Sequence, residues 1–474
     1  MIAVPDELPI TAADVAAATG GQLVAGDRAR RFDGVTIDSR SVRPGQLFIG
    51  IRGERFDGTD YARASVEAGA TGVVVSRGSM AADLAGHPHE PVVIAVDDTT
   101  AALQALGRQV RRASGTKVTA ITGSAGKTTT KEIAADFLAT RFTVHRNPGN
   151  LNNHIGLPLS LIDLRTRPQM AVVELGMNHA GEIRQLVSLA EPEMRVWTNV
   201  GDAHIGFFRS PDAIADAKAE ILSGATEDTV VVANADDSRV MARVAGFGGR
   251  LVTFGQAGDA DVRATTVTFR GVECTSAHIT TPAGEGDLEV PLGGDGNLAN
   301  VLAATAVAVT WGVPLQAVIE RAAQLRPARR RGEVVALRRA VTLVDDSYNS
   351  SPSALRGALA SVSRDVRHGR RVAFLGEMLE LGAHAVALHE ECGRAAAESG
   401  LSALVTVGGA AAESMASAAG RAGMASGAVR HVGTAAEAST LVRDLIRPGD
   451  LVLVKGSRGV RMDLVADRVR EEWR

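Results

Sequence analysis

The stretch Val118-Thr-Ala-Ile-Thr-Gly-Ser-Ala-Gly-Lys-Thr-Thr-Thr-Lys131 constrains this chain more than any other. Its β-branched run ends at Gly123 and Gly126, and then Ile133, Ala134, Phe137 and Leu138 recur at helical spacing. The pattern predicts a strand, a glycine loop and a helix. Such a loop turns backbone N–H groups toward a phosphate at a helix N-terminus, where Lys127 adds charge and the Thr128 hydroxyl can hold Mg²⁺. Gly123, Ser124, Ala125, Gly126, Lys127, Thr128 and Thr129 therefore read as a phosphate cradle. Ile121 stands where the strict G-x-x-x-x-G-K-[ST] pattern has its first glycine. An ordinary Gly-rich strand-to-helix turn with a surface lysine is the alternative.

What surrounds the loop sets its context. A length of 474 residues suggests about three domains. A net charge of -3 gives no electrostatic case for nucleic acid or an anionic membrane, so small-molecule partners are expected. The N-terminus Met1-Ile-Ala-Val-Pro-Asp-Glu lacks a basic segment leading into an apolar one, and no apolar run approaches membrane-spanning length. Neither export nor insertion is expected. Only Cys274 and Cys392 occur, which excludes a disulfide framework or a cysteine metal cluster and suits a reducing cytoplasm.

Before the loop, short strand-like runs (34–38, 47–50, 72–75 and 92–96) alternate with Ala-rich helical stretches, as in a small α/β domain. Asp38-Ser39-Arg40 follows the first of them. There a hydroxyl and a guanidinium either meet a phosphate or sugar, or merely tie down a turn. A helix over 101–112 ends at Ser114-Gly115, a domain boundary.

After the loop, residues 147–158 are dense in turn formers and amides, including Asn150, Asn152 and Asn153, and are either structural or line a substrate site. Ala171-Val-Val-Glu174 places a carboxylate at the end of an apolar strand, where it needs a metal ion or backbone N–H groups. His204, in a loop after the strand over 195–200, reads by itself as a satisfied loop histidine. In the helix from Pro211, Ile214, Lys218, Ile221 and Leu222 share a face. The residues alone favour a Lys218 that snorkels to solvent at the edge of that stripe; a desolvated amine would instead serve as base, nucleophile or acceptor of CO₂. From 251 to 292, short alternating runs predict a small antiparallel appendage. Asn297 is placed to cap the helix that follows.

The basic run Arg326-Pro-Ala-Arg-Arg-Arg331-Gly332 marks a hinge. Beyond it, strands at 341–344, 371–375, 403–407 and 451–454 alternate with helices, giving a doubly wound module. Asp345-Asp346-Ser-Tyr348-Asn349 and Lys455-Gly-Ser457-Arg458 fall at carboxyl ends of its strands, where such sheets bind ligands.

Taken together, Thr-Gly-Ser-Ala-Gly-Lys-Thr-Thr (122–129), Val-Glu174-Leu-Gly, Ala-His204-Ile-Gly, Ala-Lys218-Ala-Glu220, Asp-Asp-Ser-Tyr-Asn-Ser-Ser-Pro (345–352) and Val-Lys-Gly-Ser-Arg (454–458) resemble the Mur ligase family. Ile-Asp-Ser-Arg and Gly-Glu-Arg-Phe-Asp-Gly (53–58) extend the likeness to the front of the chain. The family's loop has the shorter G-x-x-G-K-[ST] form, which explains the failed strict match. Ala125 and Ser350-Ser351 depart from its more usual residues. Within the family, 345–349 and 149–153 look most like the branch that adds D-alanyl-D-alanine.

The resemblance implies an α/β chain of three domains: a UDP-sugar-binding domain (1–113), a central P-loop ATPase domain with a mainly parallel sheet (114–328) and a Rossmann-like ligase domain (329–474). It implies an ATP-dependent amide ligase acting on UDP-N-acetylmuramoyl-tripeptide through an acyl phosphate, monomeric and cytoplasmic. ATP and two Mg²⁺ ions are implied. Thr128, Glu174, His204 and Lys218, the last as a CO₂-derived carbamate, would hold the metal, and Lys127 would join Glu174, His204 and Lys218 in catalysis. Asn297, Asn300, Arg331, Asp346, Tyr348 and Asn349 would contact nucleotide. Ser39, Arg40, Asn150, Asn153, Lys455, Ser457 and Arg458 would contact substrate. Hinge closure on binding is a further implication. Two rivals remain: a relative that adds diaminopimelate or lysine, and a P-loop ATPase with a regulatory role.

Overall fold

The computed structural model describes residues 7–53, 55–79 and 84–474. Met1 to Asp6, on which the reading of the N-terminus partly rests, and Glu54 of the Gly53-to-Gly58 motif lie outside them. The chain forms two compact units: residues 1–120, 142–177 and 181–194 make the first, and 121–141, 178–180 and 195–474 the second.

In the first unit the apolar runs before the loop form a five-stranded sheet in the order Gln22–Ala25, Val92–Val96, Gly72–Ser76, Gln46–Ile49, Gly34–Thr36. Its outer strand Gln22–Ala25 is antiparallel and the rest are parallel. Val66, Val73, Val75 and Val93 are fully buried against Phe48, as expected for strands covered by helices. The helix Thr99–Ser114 starts where Asp98 accepts from Thr100 N and Ala101 N, and ends at Gly115 with φ +68°. A Cβ on its Gly107 would stand 2.9 Å from the Pro158 carbonyl, so glycine lets the helix Gly156–Ile162 approach closely. Strands Val144–Arg146 and Met170–Glu174 pair in parallel in the same unit.

In the second unit the loop feeds the helix Lys127–Leu138, whose Ile133, Ala134, Phe137 and Leu138 are buried as the spacing requires. Strands Val230–Asn234 and Arg250–Gly255 pair in parallel. The run at 251–255 is therefore part of a parallel pair, and the antiparallel appendage is confined to Val262–Arg270, Cys274–Thr281 and Gly284–Val290. A six-stranded sheet follows, ordered Glu333–Ala336, Thr342–Asp346, Asp450–Lys455, Arg370–Gly376, Ala403–Val407, Val429–Val432. Only its edge strand Glu333–Ala336 is antiparallel. The chain's last strand inserts between Thr342–Asp346 and Arg370–Gly376, so three carboxyl ends meet at a crossover point. Pro352 occupies the first turn of the helix Pro352–Ser363. Among the described residues, no helix is long and apolar enough to cross a membrane.

Candidate active site

The glycine loop is held open by side chains from the next strand end. Asn199 carries most of that work: its Oδ1 accepts from Ala125 N at 2.9 Å and its Nδ2 donates to Ala125 O at 3.1 Å, while its carbonyl accepts from Ser124 N at 3.1 Å. Thr198 Oγ1 donates to Ala125 O at 2.8 Å. These contacts occupy the first N–H groups of the loop. The helix that follows has Gly126 at its N-cap with φ +79° and no side-chain cap, which leaves its first turn oriented as an anion site. A Cβ on Gly126 would collide with Asn300 Oδ1. Asn300 in turn accepts from Thr130 Oγ1 at 3.1 Å and ties the helix Asp295–Thr310 to the helix of the loop.

Lys127 Nζ donates to Gly123 O at 2.9 Å, and Lys218 Nζ reaches the same oxygen at 3.0 Å. Lys218 is 2% exposed. The expected snorkelling is therefore wrong: the helix Pro211–Ala219, started by Ser210 and Pro211, aims its apolar stripe and this lysine together into the interior. A buried ammonium needs close oxygens, and the loop carbonyl supplies one.

Glu174, 2% exposed, ends the buried strand of the first unit. Its Oε1 accepts from Asn152 Nδ2 at 2.7 Å, and its N–H donates to the fully buried Asn147 Oδ1 at 3.2 Å. Asn147 Nδ2 donates to Leu151 O at 2.9 Å, which shapes the amide-rich loop. Asn153 Oδ1 accepts from Ile155 N at 3.2 Å and Gly156 N at 2.8 Å in the turn before a helix, and Asn150 is exposed.

The C-terminal candidates gather at the crossover point. Lys455 is buried and donates to Asp346 Oδ2 at 2.5 Å and Asn349 O at 3.0 Å. The Arg331 guanidinium lies over the Tyr348 ring at 3.9 Å and that of Arg458 at 5.8 Å. Ser457 Oγ accepts from Leu379 N at 2.9 Å. Ser350 Oγ is buried without a partner among the described residues.

Other expectations meet different surroundings. Asn297 does not cap its helix; its Nδ2 donates to Gly293 O at 2.9 Å. Arg40 is exposed and pairs with Asp38 at 2.7 and 2.8 Å, while Asp38 accepts from Arg40 N beside Ser39. That pairing holds the Asp38 carboxyl down to about 2, so the turn-tying alternative describes the geometry of this segment. His204 takes a left-handed backbone, φ +65°, and its Nδ1 lies 2.6 Å from Glu380 Oε2. Hydrogen bonding to His204 holds the Glu380 carboxyl below its ordinary value.

Sequence reading singled out the stretch that holds Asn147 and Asn152 without giving either a role of its own, and it missed Asn199 and Glu380. Asn199 offered a signal: an amide near the end of the strand-like run 195–200. Glu380 offered none, because its partner lies in a distant part of the chain.

Within the second unit, the Thr128 hydroxyl suits an Mg²⁺ ion bound mainly through phosphate oxygens. His204 of the same unit carries a ring nitrogen, and Glu174 of the first unit a buried carboxylate, both groups that bind divalent cations. Among the described residues no group of three or more His, Cys, Asp or Glu is preformed for a metal, so phosphate oxygens would complete the shell.

Comparisons with known proteins agree with this layout. Residues 31–128 match the model described as Mur ligase family, catalytic domain, residues 121–308 the Mur ligase middle domain, and residues 330–458 the Mur ligase glutamate ligase domain. The UDP-N-acetylmuramoyl-tripeptide--D-alanyl-D-alanine ligase of Escherichia coli (strain K12) is 35% identical over 470 residues, which span 98% of this chain and 99% of the relative. A crystal structure of MurF from Acinetobacter baumannii matches with a TM-score of 0.88 at 30% identity, over 98% of this chain and 99% of the other. MurF ligase from Thermotoga maritima in complex with ADP matches with a TM-score of 0.79 at 26% identity, over 93% and 97%.

Proposed function

This chain belongs to the Mur ligase family, and we propose that within it the chain joins D-alanyl-D-alanine to UDP-N-acetylmuramoyl-tripeptide at the expense of ATP. It is an ATP-dependent ligase of three-domain α/β architecture, with divisions near 113 and 328. The observation that carries the reading is the convergence of Lys127 and the buried Lys218 on the carbonyl of a glycine loop that opens a helix. The full-length likeness to MurF-named relatives selects the substrates.

A carboxylate is a poor acyl donor, so the reaction runs in two displacements. The tripeptide's terminal carboxylate oxygen attacks the γ-phosphorus of ATP, the bond to the β,γ-bridging oxygen breaks, and ADP leaves. The amine of D-alanyl-D-alanine then attacks the acyl carbon; phosphate departs, and the amine loses a proton as the amide forms. The chain mainly positions the partners and neutralises charge. Loop N–H groups from Gly126 to Thr129 and the Lys127 ammonium bind the phosphates. Arg331, Tyr348, Asp346, Asn349, Asn297 and Asn300 contact nucleotide. Ser39, Arg40, Asn150 and Asn153 serve the UDP-sugar substrate, and Lys455, Ser457 and Arg458 the peptide end. Mg²⁺, as two ions, would neutralise the charge that develops on the transferred phosphoryl group, with Thr128, Glu174 and His204 as ligands.

Lys218 would complete that set after reacting with CO₂. Its neutral amine adds to the carbon, a proton leaves, and a cationic side chain becomes an anionic carbamate. Burial supports this use, because desolvation favours the neutral amine. We further propose that the chain works as a monomer in the cytoplasm.

The test is phosphate release with ATP, Mg²⁺ and UDP-N-acetylmuramoyl-tripeptide, with and without D-alanyl-D-alanine, and product identification by mass. Dipeptide-dependent release with a UDP-linked pentapeptide is expected. Release that ignores the dipeptide and forms no amide would leave a P-loop ATPase instead, and a preference for diaminopimelate or lysine would move the chain to another branch of the family.

A further inference from the structure

One contact joins the His204 loop to the segment that follows the strand Arg370–Gly376. His204 and Glu380 both adopt left-handed backbone, φ +65° and +66°, a conformation that non-glycine residues hold only when their surroundings impose it. Nδ1 is buried and lies 2.6 Å from Oε2 in an ion-pair contact, with no hydrogen bond of standard geometry from Nδ1 to any described residue. The backbones meet as well: Gly206 N donates to Glu380 O at 2.9 Å. A Cβ on Gly206 would stand 2.6 Å from Gly382 N and 2.7 Å from Glu380 O, so this approach requires glycine.

The Glu380 segment is itself pinned. Met378 N donates to the Nε2 of the buried His389 at 2.9 Å, and the same ring faces Ala385 O through Nδ1 at 2.7 Å. Leu379 N donates to Ser457 Oγ, and Ser457 N to Glu377 O at 3.2 Å. Glu377 Oε2 accepts from Gly409 N at 2.6 Å. A segment tied on both sides of Glu380 holds that carboxylate where His204 finds it.

We propose that Glu380 is a positioning residue for His204. Its carboxylate accepts the Nδ1 proton, so the ring keeps its lone pair on Nε2 and presents that nitrogen to a divalent cation. A carboxylate behind a metal-binding imidazole fixes both tautomer and ring orientation. Because the two residues come from stretches matched by different domain models, His204 is oriented only while its loop and the Glu380 segment are together. The inference rests on the reading of His204 as a metal ligand.

Two measurements test it: the ring tautomer of His204 by ¹⁵N NMR of the histidine-labelled full chain, assigned with His204→Gln, and the Mg²⁺ dependence of dipeptide-dependent phosphate release. In the unaltered chain His204 is expected as the Nδ1–H tautomer. Glu380→Ala should mix the tautomers and raise the Mg²⁺ needed for half-maximal rate by about 10–100-fold, with kcat at saturating Mg²⁺ changed far less. Glu380→Gln, whose amide oxygen still accepts from Nδ1–H, should retain most of both properties. Should Glu380→Ala not fold, Glu380→Asp withdraws the carboxylate while keeping its charge and should show the same shifts in lesser degree. An unchanged tautomer or unchanged Mg²⁺ dependence in these variants would overturn the proposal. If His204→Gln itself leaves the Mg²⁺ dependence intact, the ligand reading fails; if it shifts the dependence and Glu380→Ala does not, only the role of Glu380 fails.

Discussion

Lys127 and Lys218 share one acceptor, the carbonyl oxygen of Gly123, at 2.9 and 3.0 Å. A loop lysine and a helix lysine therefore meet beside the phosphate cradle, the first to bind phosphate and the second buried where a carbamate would face the same space. Lys218→Ala removes the amine that would carry the anionic carbamate. We expect ligase activity to fall by about 10²–10³-fold, the scale of losing one preorganised charge-stabilising group. A short-chain carboxylic acid, which can replace the missing anion, should restore part of it in the phosphate-release assay. Equal loss with no rescue at any acid concentration would remove the anionic role.

Asn199 braces the loop from both sides of Ala125. Asn199→Ala leaves the loop glycines free to collapse, without touching Lys127 or Lys218. The apparent KM for ATP should rise roughly tenfold, the cost of about one charge-independent hydrogen-bond pair. Steady-state kinetics at varied ATP checks this. A change confined to the KM of the dipeptide would contradict the bracing role.

The fold was legible because it is written in local patterns. Most buried strands appeared as short β-branched runs, and Val92–Val96 and Ala403–Val407 were bounded correctly. Edge strands such as Gln22–Ala25 and Glu333–Ala336 were not seen, because a half-exposed strand lacks a continuous apolar run. The loop lysine and Glu174 were legible from motif and strand position. Lys218 misled because an amphipathic stripe shows which face is buried and not how deeply. Asn147, Asn199 and Glu380 act through partners far along the chain, which no spacing rule reports.

Asn147 is fully buried and bonds Glu174 N and Leu151 O at once. Asn147→Leu removes both bonds, from the buried Glu174 N–H and from the half-buried Leu151 carbonyl. A loss of about 1–3 kcal/mol per unsatisfied group is the expected scale, so chemical denaturation should show a destabilisation of about 2–4 kcal/mol. Asn152→Ala, which removes only the half-buried Asn152 amide from Glu174 Oε1, should cost less stability and more activity. Comparable unfolding midpoints for Asn147→Leu and the unaltered chain would refute this.

The two cysteines should separate by chemistry and by pH. Burial raises the Cys392 thiol from its ordinary 9.0 to about 12, whereas Cys274 is partly exposed and raised less, by burial and by Glu289. At pH 8 iodoacetamide should therefore modify Cys274 first and leave Cys392 unlabelled in the folded chain, as peptide mass mapping would report. The sign of the stability effect follows from proton counts. Between about 9 and 12 the unfolded chain releases the Cys392 proton while the folded chain keeps it, so the folded state binds more protons and its stability falls as pH rises. Below that window both states hold the proton and the contribution is fully present. Cys392→Ala, which has no proton to release, should lose stability less steeply from pH 8.5 to 10.5 in urea titrations. Parallel slopes for the two proteins would show that Cys392 titrates alike in both states, which its complete burial forbids.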